Sequence, residues 1–92
     1  MIISFADKDT ADLFAGKRVK RFANITAVAE RKLQQLDSVA SLDALRAPPG
    51  NRLEKLSGDR EGQHSIRINE QWRLCFVWRE DGVHDAEIVD YH

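Results

Sequence analysis

The sequence predicts an α+β fold: one domain spanning residues 1–92, a mainly antiparallel β-sheet packed against two or three α-helices. Three observations predict it. Ninety-two residues suffice for one modest core and no more. Apolar residues recur at helical spacings in the first half and alternate as in strands in the second. The later segments are joined by turns of a few residues, too short for a parallel crossover.

The chain opens with "MIISF", which reads as a short edge or inner strand from Ile2 to Phe5. "DKDTADLFAGK" follows as a short helix, capped by Asp7 or Asp9, with Leu13 and Phe14 facing inward and Gly16 as its stop. "KRVKR" then places Lys17, Arg18, Lys20 and Arg21 together. This is either a solvated loop or a contact surface for phosphate or an acidic partner. Asn24 is placed to cap a longer helix, in which Ile25, Val28, Ala29, Leu33 and Leu36 form an apolar stripe opposite Glu30, Arg31 and Gln34. "SLDALRA" adds a short helical turn capped by Ser41 and ended by Pro48 and Pro49, which cannot continue it.

"RLEKLS" is a short strand candidate and "GDREG" a turn. "QHSIRI", "WRLCFVW" and "VHDAEIVDYH" read as three strands divided by the turn signals "NEQ" and "REDG", which makes an antiparallel meander. Alternation puts Trp72, Leu74, Phe76 and Trp78 on one face of the middle strand and Arg73, Cys75, Val77 and Arg79 on the other. Ile66 and Ile68 join the apolar face, packed on the long helix, and parity places His64 with them as a structural residue. Ser65, Arg67 and Arg73 belong to the opposite, open face, where Arg67 and Arg73 repel unless an anion or acid answers them. His84, beside the "REDG" turn, reads as a solvated surface residue.

The composition excludes several classes. No apolar run is long enough to cross a membrane, and "MIISFADKD" is not a signal peptide, so the expected location is the cytoplasm. A lone Cys75, read as a buried strand residue, precludes an intramolecular disulfide and a cysteine-based zinc cluster. No metal site and no cofactor motif is recognised. Net charge is −1, yet thirteen of fourteen Lys and Arg lie between Lys17 and Arg79, against seven acids there. A neutral sum can therefore conceal a basic face suited to a polyanion. "DYH" ends the last strand with three groups able to handle protons, either by accident or because a pinned strand carries a site on its tip.

"NRLEKLSGDREGQHSIRINEQWRLCFVW", the trailing "EIVDYH" and the helix "AVAERKLQQLDSV" together resemble the HigB-type toxins of bacterial type II toxin–antitoxin systems, within the RelE-like group. The resemblance covers essentially the whole chain and implies a RelE-like fold. It further implies a ribosome-dependent messenger RNA endonuclease acting in the ribosomal A site. A cognate HigA-like antitoxin with a helix-turn-helix domain would hold it inactive, and operator DNA would be reached only through that antitoxin.

Under this resemblance the catalytic candidates are Asp90, Tyr91, His92 and Arg73. Cleavage without a metal needs a base for the 2′-OH, cations for the phosphorane charge and an acid for the departing 5′-oxygen. His92 suits either proton role, because histidine titrates near working pH. Arg73 suits the phosphate, since its planar fork matches two phosphate oxygens. Tyr91 stacks or orients, and Asp90 partners His92. Lys55, Arg60 and Arg67 are candidates for contacts with messenger or ribosomal RNA. One departure stands out: the family's histidine before "GDREG" is here Glu54. Glu54 either replaces it as base or points away from the phosphate and leaves His92 to work with Asp90; the second reading is adopted. The alternatives are a non-enzymatic toxin that inhibits DNA gyrase by contact and a corepressor acting only with its antitoxin.

Overall fold

The computed structural model describes residues 1–90. Two helices, α1 (Lys8–Phe14) and α2 (Thr26–Ser38), cover one face of a sheet formed by β1 (Glu54–Lys55), β2 (His64–Arg67), β3 (Trp72–Arg79) and β4 (Gly82–Asp90). The strands pair in sequence order and every pairing is antiparallel, the meander that short turns demand. The core lies between sheet and helices. Leu33 and Leu36 of α2 and Leu13 of α1 meet Ile66, Leu74, Phe76 and Ile88 of the sheet.

Helix α1 starts as predicted, with the Asp7 carboxylate accepting from the Thr10 backbone N–H at 3.2 Å. Helix α2 does not. Asn24 is not its cap; Ile25 holds that position without a side-chain cap, and a 3-10 turn at Lys20–Phe22 leads into it. Burial decides this entry, since Phe22 and Ile25 both sink into the core and the Thr26 hydroxyl donates back to the Phe22 carbonyl at 2.9 Å. "SLDALRA" forms a 3-10 turn, Asp43–Arg46, with Ser41 Oγ accepting from the Ala44 N–H. Behind it, buried Asn51 donates to the Leu45 and Ala47 carbonyls and to Gln35, and accepts from Lys32, tying this loop to α2.

The N-terminal segment departs from the predicted strand. It lies parallel to β4 and makes two isolated bridges, Ile2 with Val83 and Phe5 with Ala86, rather than a continuous ladder. The reason lies in β4, whose register against β3 shifts between Cys75 and Val77, with Asp85 in the left-handed region at φ 54°. This bulge turns Val83, Ala86 and Ile88 all toward the core, which strict alternation would not permit. Ser4 serves the bulge by accepting the Asp85 N–H on its hydroxyl at 2.9 Å. At the β3–β4 turn Gly82 has φ 141°, and a Cβ there would stand 2.7 Å from both Ile3 Cγ1 and the Met1 carbonyl. The N-terminal segment thus packs directly over that turn.

Candidate functional site

The sheet face turned away from the helices carries a row of register partners, Glu54, Ser65, Cys75 and Glu87, beside a second row of Arg67, Arg73 and Val89. Arg67 and Arg73 are direct cross-strand partners, as alternation predicts. Among the described residues an acid answers Arg73: the Glu54 carboxylate lies 3.6 Å from its Nη1. Glu54 therefore does not point away from this site. The attraction of a guanidinium draws it there, while its side chain stays 53% exposed.

Arg73 is 8% exposed, unusual for an arginine, and its surroundings explain how that is tolerated. Nε donates to Ser65 Oγ at 2.8 Å, and Nη2 donates to the Arg52 carbonyl at 2.8 Å. These acceptors are neutral, so they satisfy donors and fix the plane of the guanidinium without cancelling its charge. Arg60, from the turn at Gly58–Arg60, donates to Gln63 and pairs with Glu87 at 3.2 Å on the same face. Between these pairs the Cys75 thiol is fully buried, and burial, more than any neighbouring charge, pushes its pKa up. It is a packing thiol, as its place in the strand predicts.

The remaining candidates divide. Arg67 is half-buried and donates from Nε to the Asn69 carbonyl. Lys55 does not join the Arg73 group: as the strand neighbour of Glu54 it faces the other way. There it lines a cavity of about 400 Å³ with Leu42, Asp43, Arg46, Leu53 and His64. His64 stacks on Phe76 with ring centroids 6.3 Å apart, and burial first, then the Lys55 charge, lowers its pKa. His84 is not solvated as predicted. Its side chain is 18% exposed because Nε2 sits 2.7 Å from the Asp81 carboxylate across the turn.

Asp90 ends β4 opposite Trp72, which puts it by parity on the helix-side face rather than that of Arg73, and it accepts from Gln71 Nε2 at 3.1 Å. Tyr91 and His92 lie outside the described residues. The sequence reading missed Ser65, the Arg52 carbonyl and Glu87 as partners of the site cations. Strand parity placed Ser65 on this face and was the available signal for it; the Arg52 contact comes from a loop, which has no period to read. Among the described residues no three His, Cys, Asp or Glu side chains gather as a metal-binding group. On the helix side Lys17, Arg18 and Lys20 line a groove of about 630 Å³ with Val19, Thr26 and Glu30. No helix among the described residues is long and apolar enough to cross a membrane.

Comparison with known proteins agrees with this architecture. Residues 3–92 match the family model described as the RelE-like toxin of type II toxin–antitoxin system HigB. The chain is 38% identical to Toxin HigB-1 of Vibrio cholerae, over 100% of its own length and 98% of the relative's. It is 33% identical to an uncharacterized protein of Haemophilus influenzae, over 68% of this chain and 62% of that one. Among solved structures it superposes on a chain of the YoeB–YefM complex from Staphylococcus aureus with a TM-score of 0.58 and 19% identity, covering 100% of this chain and 98% of the other. That likeness is one of fold.

Proposed function

The chain belongs to the HigB family of RelE-like toxins of type II toxin–antitoxin systems, and from that premise we propose that it is a ribosome-dependent endoribonuclease that cuts messenger RNA in the ribosomal A site. The observation that carries the reading is Arg73, a guanidinium held in one plane by neutral acceptors with an exposed carboxylate as its neighbour. A scissile phosphate displaces the Glu54 carboxylate and takes its place on a cation whose orientation is already set. Preorganised charge of this kind stabilises the phosphorane without reorganisation during the reaction.

The proton chemistry falls to the strand tip. A base removes the 2′-OH proton, the 2′-oxygen attacks phosphorus, and the P–O5′ bond breaks as the 5′-oxygen gains a proton. His92 serves as the acid–base group, Asp90 as its partner and Tyr91 as the residue that orients or stacks on the base. Glu54 is then a counter-ion rather than the base. Arg60 and Arg67, on the face of Arg73, track the RNA backbone; Lys55 faces elsewhere and could reach only a separate stretch of RNA. The protein acts in the cytoplasm, where ribosomes are, and a helix-turn-helix antitoxin of the HigA type neutralises it and carries it to operator DNA.

The test uses purified protein, a defined messenger and ribosomes with an empty A site, with new 5′ ends mapped. Wild type is expected to cut within the A-site codon only when ribosomes are present, and His92→Ala to lose about 10²–10⁴-fold in rate. Arg73→Lys keeps the charge but loses the planar fork, and should also cut poorly. Cuts that persist in His92→Ala would move the acid–base role to Glu54 or Asp90. Folded wild type that never cuts would favour a toxin acting by contact, with DNA gyrase the first target to test.

A further inference from the structure

Arg21 belongs to the basic segment, yet it turns inward. Its Nη2 donates to the Ile88 carbonyl at 3.3 Å, and its Nη1 lies 3.5 Å from the Asp9 carboxylate. The guanidinium carbon stands 4.7 Å from the Phe22 ring centroid and 5.8 Å from that of Trp72. Those two rings meet edge to face at 5.4 Å, and Trp72 is the register partner of Asp90. The N–H of Ile88 donates to the buried Thr10 hydroxyl at 3.0 Å. Side chains from the helical layer therefore hold both backbone groups of Ile88. Among the described residues the last backbone bond from the N-terminal segment to β4 is Ala6 N–H to the Ala86 carbonyl. Past that point the outer side of the strand is kept in place by Thr10 and Arg21.

The geometry points to Arg21 as a positioning residue that fixes the end of β4, an assignment that rests on the endonuclease reading and adds a component to it. The guanidinium suits the task because one planar group can bond a carbonyl, face a carboxylate and lie over aromatic rings together. Its side chain is 49% exposed, so its contribution to global stability is small. Its effect is local: Val89 and Asp90 follow directly on the carbonyl that Arg21 holds, and they lead into the residues that carry the proton chemistry.

The experiment compares wild type, Arg21→Gln, Arg21→Lys and Lys20→Gln, the last removing one charge from the same turn without touching β4. Single-turnover cleavage on programmed ribosomes is measured together with amide hydrogen exchange in the free protein. Arg21→Gln is expected to cut about 10–100-fold more slowly, with half-saturating ribosome concentration within about twofold of wild type. Exchange at Val89 and Asp90 should quicken while exchange in α2 stays unchanged. Arg21→Lys should recover part of the rate, and Lys20→Gln should match wild type in rate and in exchange. A normal cleavage rate in Arg21→Gln overturns the assignment. So does a loss confined to ribosome affinity with wild-type exchange at the strand end, which would make Arg21 a direct RNA contact. If wild type itself does not cut, the endonuclease reading falls, and the exchange comparison still decides whether Arg21 anchors the strand.

Discussion

Ser65 is fully buried, and its hydroxyl is what a buried guanidinium leans on. Ser65→Ala leaves the Arg73 Nε–H without this acceptor in a site with little water. The expected loss is about 1–3 kcal/mol in urea unfolding, with cleavage reduced because the guanidinium plane is freed. Glu54→Gln acts in the opposite direction. It removes the counter-charge but keeps the shape, so binding to programmed ribosomes should tighten by up to about fivefold at low salt while cleavage persists. Loss of cleavage with unchanged binding would instead identify Glu54 as the base. Strand parity made Ser65, Arg67 and Arg73 legible as one face, because a period of two leaves no other choice. It could not reveal where the Glu54 carboxylate points, since β1 is two residues long and a side chain's direction there is set by the cation it meets.

At the scale of elements, legibility followed periodicity. The three long strands and α2 have clear periods and formed as predicted, whereas their edges are governed by contacts distant in sequence. Asn24 is a good cap in isolation, but burial of Phe22 and Ile25 sets the entry to α2 instead. Ile2–Phe5 makes only two bridges because the bulge at Asp85 breaks the ladder it would join, and a bulge shows in sequence only as Val83, Ala86 and Ile88 falling out of step. The loop from Asp43 to Asn51 is held by two amides, Asn51 within it and Gln35 of α2. Asn51→Ala strips the Leu45 carbonyl of its side-chain donor and leaves the Ala47 carbonyl to Gln35 alone, and should cost about 1–3 kcal/mol, measurable as a lower urea midpoint with an unchanged slope.

For the molecule as a whole, the cations gather on both faces of the fold, with Arg60, Arg67 and Arg73 on the sheet side and Lys17, Arg18 and Lys20 around the helix-side groove. Stability should depend on pH through His64. Burial and Lys55 hold its pKa below the ordinary value of about 6.5, so on acidification the unfolded chain takes up this proton before the native one does. Stability should fall as pH drops from about 6.5 through the lowered folded pKa, and His64→Gln should flatten that slope in urea titrations between about pH 7 and 5. The contacts that seal β4 bear on the order of events during synthesis. Ser4 and Asp85 stand 81 residues apart, and Thr10 and Ile88 stand 78 apart. At about 5–20 residues per second, roughly 4–16 s separate the translation of Ser4 from that of its partner. Until β4 is made, the first residues can reach only α1 and α2, through Phe14 and Asp37, and Arg21 has no strand to grip. The end of β4 is therefore made long after the side chains that hold it, and Thr10 and Arg21 can grip Ile88 only once that strand has been translated.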